Sequence, residues 1–145
     1  MDKKIILILV TAVFLAGCAS EAKPAEPQVR ITFDPSQSFF ATSYISEQGY
    51  TQTAAQGKIF YGMYFIVENI SYSPGFDFNG FGMKLLCQNV EYTRALYVGP
   101  NEIDNVNIFP GGKTEGILLF EVPDNVECTT WQYYSPVTIQ MEVKK

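Results

Sequence analysis

Apolar and polar residues alternate at both ends of the chain beyond residue 27, and this period of two is the feature that most limits the fold. Val29, Ile31 and Phe33 alternate with Arg30 and Thr32, and Val137, Ile139, Met141 and Val143 alternate with Thr138, Gln140 and Glu142. Successive side chains of a strand point to opposite faces, so each stretch reads as a strand with one buried face. Further apolar runs cover Lys58 to Ile70, Met83 to Gln88, Val90 to Val98, Gly116 to Val122 and Trp131 to Tyr134, with a less regular strand near Phe40 to Ser46. Turn signals separate them: Ser73-Pro74-Gly75, Gly99-Pro100-Asn101, Pro110-Gly111-Gly112 and Pro123-Asp124-Asn125. The pattern predicts an all-β domain over 28–145, a β-sandwich of about seven to eight antiparallel strands. At 145 residues the chain holds about one such domain.

The amino-terminal segment has a different logic. Lys3 and Lys4 precede an apolar stretch from Ile5 to Phe14, broken by Thr11, and the small residues Ala16 and Gly17 follow. That is the layout of an export signal, and it is too short for an ordinary membrane span of roughly 20 residues. Leu15-Ala16-Gly17-Cys18 resembles the lipobox of prokaryotic lipoproteins. The resemblance implies cleavage after residue 17 and a diacylglyceryl group on the Cys18 sulfur, which would hold the protein on the outer face of the cell membrane. Segment 1–17 is therefore expected to be a signal peptide and 18–27 a lipidated cysteine with its tether. Ala19 to Pro27 is small, charged and proline-bearing; if extended, its nine residues reach on the order of 28 Å.

Two stretches of the domain carry a family resemblance. Gly57-Lys58-Ile59-Phe60-Tyr61-Gly62-Met63-Tyr64-Phe65-Ile66-Val67-Glu68-Asn69 is similar to the glycine, basic residue, long β run and Asn that open the telokin-like, immunoglobulin-fold domain of many bacterial and archaeal lipoproteins. Pro110-Gly111-Gly112-Lys113-Thr114-Glu115-Gly116-Ile117-Leu118-Leu119-Phe120-Glu121-Val122-Pro123 resembles that family's Pro-Gly turn and the strand ending Phe-x-Val-Pro. The resemblance implies an immunoglobulin-like sandwich and supplies no catalytic residues. On physical grounds Gly111 and Gly112 suit a turn needing positive φ, and Gly116 marks a point without room for a side chain.

Several chemistries are excluded or weakened by the residues present. The chain has no histidine, which removes Ser-His and Cys-His nucleophiles and imidazole metal ligands. Fifteen acids against ten bases, with the bases single or in pairs, leave no phosphate-binding face, so nucleic acid is not an expected partner. No cofactor and no metal are expected: Asp77-Phe78-Asn79-Gly80 begins like a calcium loop but lacks the acids that would close it, and reads as a turn. With Cys18 lipidated, Cys87 and Cys128 remain as a pair in a compartment where disulfides persist. Cys87 shares the inward phase of Met83 and Leu85. Cys128 is out of phase with Trp131 and Tyr133 unless a turn or bulge intervenes. Asn69-Ile70-Ser71 is a glycosylation sequon.

Aromatic residues are in excess of what a small sandwich needs, at 14% of the chain. On the long run both faces are apolar, with Phe60, Tyr64 and Ile66 opposite Tyr61, Met63, Phe65 and Val67, and the loop beyond adds Phe76, Phe78 and Phe81. Exposed, Phe60, Tyr64, Ile66, Phe76 and Phe78 would form a recognition surface; covered, they are core. The function expected is a lipid-anchored, extracytoplasmic, non-enzymatic binding module of the cell envelope with a protein or glycan partner. The alternative is a structural subunit of an envelope or transport assembly.

Overall fold

The computed structural model describes residues 26–137 and 139–144. The export signal, Cys18 and most of the tether lie outside the described residues. Eleven strands run through the described part of the chain: β1 (Val29–Ala41), β2 (Ser43–Ile45), β3 (Thr51–Thr53), β4 (Lys58–Asn69), β5 (Phe76–Phe78), β6 (Met83–Cys87), β7 (Val90–Thr93), β8 (Val106–Ile108), β9 (Lys113–Pro123), β10 (Cys128–Tyr133) and β11 (Ile139–Val143). They form one sheet in the order β11-β1-β4-β9, a second in the order β10-β6-β7, and the two-stranded pairs β2-β3 and β5-β8. The domain is an all-β sandwich. It exceeds the expected strand number because β2, β3, β5 and β8 are three-residue pieces too short to show alternation. One pairing is also parallel: β11 lies beside β1 with Val29 opposite Ile139 and Phe33 opposite Val143.

The main core lies between the sheets. Ile31 and Phe33 from β1, Met63, Phe65 and Val67 from β4, and Leu118 and Phe120 from β9 meet Met83, Leu85 and Cys87 from β6. Trp131 of β10 closes over Phe65, with ring centroids 5.1 Å apart, and over Phe33 at 6.4 Å. Burial on this scale is worth roughly 1.5–3 kcal/mol per large apolar side chain, which makes this layer the principal source of stability.

A second, smaller cluster covers the outer face of the first sheet: Phe60, Ile117 and Leu119 pack with Tyr97. Its existence depends on a break in β1. The pairing runs Asp34 to Tyr64 and resumes at Phe39 to Gly62, so three extra residues bulge out and reverse the phase of the strand. Phe33 therefore faces the main core and Phe39 the outer one. Gly62 makes room for it, since a Cβ there would stand 2.2 Å from the Phe39 ring. The bulge is held by Asp34, whose carboxylate accepts bonds from the Ser36 amide, the Ser36 hydroxyl and Lys144 Nζ at 2.7 Å. The Lys144 ammonium and the Ser36 hydroxyl hold the Asp34 carboxyl well below the usual carboxylate range.

Cys87 and Cys128 sit directly opposite each other in the β6–β10 ladder and form a disulfide. The register shifts between Cys128 and Thr130, so a bulge reconciles Cys128 with the inward phase of Trp131 and Tyr133. Of the pair Gly111 and Gly112, Gly111 takes positive φ, at 80°, and Gly112 does not. Gly116 has no room for a side chain, because a Cβ would lie 2.5 Å from the Asn101 carbonyl oxygen.

Candidate functional site

Three of the five residues of the expected recognition surface are buried. Phe60 is 8% exposed, Phe76 4% and Phe78 1%, so these three are core residues. Phe60 is covered because Tyr44 of β2 stacks edge-on against it at 5.3 Å, and the phase reversal in β1 brings Phe39 over the same face. Phe76 and Phe78 point inward because β5 pairs with β8 in a register that leaves Asp77 between them outside. Tyr64 and Ile66 are half-buried on the outer face of the first sheet. Asn69 is corrected as well. It is 1% exposed, and its Nδ2 donates to the carbonyls of Tyr72 at 2.8 Å and Ile108 at 2.7 Å. Its Oδ1 accepts from the Tyr72 amide at 2.8 Å. A buried amide with both hydrogens engaged has no place for a sugar, and Asn69 instead clamps the chain that follows β4 to the end of β8.

That clamped chain builds the site. A groove of about 540 Å³ opens between the Tyr72–Asn79 segment, Asn107 of β8 and the Tyr133–Val137 segment at the end of β10. Its floor is the buried Phe76 with the half-buried Tyr133 ring, whose centroids are 6.1 Å apart. Tyr133 also stacks on Phe78 at 5.4 Å, and its hydroxyl accepts a bond from the Asn79 amide at 3.0 Å. Burial pushes the Tyr133 phenol up from its ordinary value, so it stays neutral across the physiological range. Tyr72 and Tyr134 form the walls, and Tyr134 is fixed by donating from its hydroxyl to Glu91 at 3.1 Å while accepting from Gln132 at 2.7 Å. The bond to Glu91 raises the Tyr134 phenol in turn.

Asp77, Asn79 and Asn107 give the groove its carboxylate and amide side chains. Asp77 and Asn107 face each other in the β5–β8 register and are hydrogen-bonded through Asn107 Nδ2. Gly75 allows this closeness, since a Cβ there would stand 2.4 Å from Asn107 Oδ1. Asn79 caps the 3-10 turn Gly80–Gly82, its side-chain oxygen accepting from the Phe81 amide at 3.0 Å; the turn read over Asp77–Gly80 therefore starts only at Asn79, and Asp77 and Phe78 belong to β5. Among the described residues Asp77 is the one charged residue of the lining, and no lysine or arginine lines it.

Nothing in the alternation pattern points to these residues, but one signal does. The tripeptide Tyr-Ser-Pro occurs twice, as Tyr72-Ser73-Pro74 and Tyr134-Ser135-Pro136, and the fold brings both copies to the same groove. Set against known proteins, the chain matches no family model, no curated protein and no solved structure.

Proposed function

We propose that the protein is a lipid-anchored, extracytoplasmic binding module of the cell envelope, non-enzymatic, and that it takes its partner in the tyrosine groove. The observation that carries this is the groove's composition. Large rings in fixed positions beside adaptable amide and carboxylate groups are what a recognition site uses to gain contact area at low entropic cost. The lipobox-like Leu15-Ala16-Gly17-Cys18 supports the anchor. The neighbouring strands β1, β4 and β9, packed against β6 and β10, support the immunoglobulin-like reading, although the last strand lies on β1 and the disulfide stays within one sheet. The tether enters beside the groove, because the Gln28 carbonyl accepts from the Ile70 and Ser71 amides at 2.8 and 3.2 Å, one residue short of Tyr72.

A structural role in an envelope assembly is the second reading, and β11 favours it. It ends the first sheet, and Met141 and Val143 on its inward phase are 37% and 57% exposed, an edge suited to strand addition. Two variants of the full chain separate the parts of the proposal. Cys18→Ser should leave the protein uncleaved or released on fractionation; retention at mature size on the membrane would contradict the anchor. Tyr72→Ala with Tyr134→Ala should abolish the partner captured by mild crosslinking, and capture unchanged by both would move the binding site elsewhere.

A further inference from the structure

The geometry points to a neutral glycan as the ligand of the groove, an inference that rests on the groove being the recognition site. A sugar ring presents a face of C–H groups and a rim of hydroxyls, each both donor and acceptor. The groove offers both complements. The rings of Tyr72, Tyr133 and Tyr134 supply rigid apolar walls with polar tips. Of the lining residues' polar atoms, Asp77 Oδ2, Asn107 Oδ1, Asn79 Nδ2 and the Tyr72 hydroxyl have no hydrogen-bond partner among the described residues. Two are pure acceptors, one is a pure donor and one is both, a set that a row of hydroxyls satisfies.

Charge selects within the glycans. Among the described residues the lining holds one carboxylate and no cation, on a chain of net charge −5, so sialylated, sulfated or phosphate-bearing sugars meet repulsion without a compensating partner among them. The same polar atoms argue against the other ligand that aromatic grooves take, an extended proline-rich peptide. Proline has no N–H, so such a segment would cover Asp77 Oδ2 and Asn107 Oδ1 without bonding them, and a desolvated, unpaired acceptor is costly. A groove of about 540 Å³ falls in the ordinary range for small-ligand sites, about 300–1,000 Å³. It is also preformed: the Asn69 clamp, the Tyr133–Asn79 bond and the β5–β8 pairing hold its parts without a ligand. Preformation spares the ligand the cost of ordering the site.

The test is an array of immobilised neutral oligosaccharides (glucans, mannans and β-1,4-linked N-acetylglucosamine chains), sialylated and sulfated counterparts, and a proline-rich decapeptide, probed with full-length protein in detergent micelles. The expected result is binding to at least one neutral oligosaccharide. Asp77→Ala and Tyr72→Ala should each weaken it at least about tenfold, the scale of one anchoring side chain; the melting temperature is retained in Asp77→Ala, whose side chain is exposed, and falls in Tyr72→Ala, whose ring packs on the main core, while the domain stays folded. Tyr72→Phe, which keeps the ring, should weaken it less than Tyr72→Ala, and Val90→Ala, exposed on β7 outside the groove, should leave it unchanged. Binding of acidic glycans or of the decapeptide alone overturns the glycan class. So does a neutral glycan held equally by wild type and groove variants, and so does silence across the array. In that last case a crosslinked envelope partner lost in Tyr72→Ala leaves the groove as a recognition site for something other than sugar, and a partner insensitive to it removes the groove reading as well.

Discussion

β4 and the groove are the two places where aromatic side chains gather, and they put them to opposite use. On β4 the two phenylalanine rings have lids: Phe65 meets Trp131 on the inner face, and Phe60 clusters with Tyr44 and Tyr97 on the outer one, while Tyr61 and Tyr64 are half-buried. In the groove, Tyr72 and Tyr134 stand on irregular chain with the Asp77–Asn107 pair beside them: Tyr72 is half-buried against the main core with its amide bonded to Asn69, and Tyr134 is exposed and fixed through its hydroxyl. Aromatic density alone therefore marks core in this molecule. Aromatic residues mixed with short polar ones, on a loop whose backbone is already satisfied, mark the open site.

The comparison can be broken most sharply in the main core. Phe65→Ala should cost about 3–5 kcal/mol of stability, since 0% of the residue is exposed and the ring fills the space against Trp131. Urea denaturation measures it, and a cost under about 1 kcal/mol would show that the sheets are not packed as described. Next comes the disulfide between residues 41 apart in sequence, expected to contribute about 4 kcal/mol in the chain-entropy model. Reductant should lower the melting temperature accordingly. Phe60→Ala tests the outer cluster, and about 3 kcal/mol is expected for a ring buried against Tyr44, Tyr97 and Leu119. A loss below about 1 kcal/mol would return the outer face of β4 to the solvent and to candidacy as a binding surface. Smallest is Tyr134→Ala: 60% exposed, it should change stability by well under about 1 kcal/mol while weakening ligand binding.

Acid provides a separate handle on the bulge that creates the outer cluster. Asp34 is depressed by Lys144, by Ser36 and by Gln37, so its contribution to stability is present above the ordinary aspartate value of about 3.9 and is lost as pH falls through the lower folded value. Lys144 is raised, chiefly by its bond to Asp34, so its share is present below about pH 10.4 and lost as pH rises through the higher folded value. Asp34→Asn should flatten the acid limb of a melting-temperature profile. An unchanged acid limb would mean that Asp34 does not hold the bulge through its charge.

Much of this fold was legible in the chain. The alternation Val29, Ile31, Phe33 marks the inner face of β1, and the inward phase of Cys87 with Met83 and Leu85 holds in β6. What was not legible has a common physical cause: a change of phase or a long-range meeting that no local pattern encodes. The bulge at 35–38 turns Phe39 to the face opposite Phe33, where it packs against the cluster that buries Phe60. Asn69 reads as a sequon until the carbonyls of Tyr72 and Ile108 are seen to claim its amide. The two Tyr-Ser-Pro segments are about 60 residues apart, and they meet because Tyr133, one residue before the second, packs on Phe76 and Phe78 of β5, just beyond the first.

The central claim is that recognition occurs at the groove and not on the outer face of β4. The most direct measurement places a photocrosslinking amino acid in the full chain at position 72, 134 or 64, one at a time, and irradiates intact cells. The account predicts adducts from positions 72 and 134 and none from Tyr64, which is half-buried on the outer face of the first sheet. Adducts from 64 with none from 72 or 134 would contradict it.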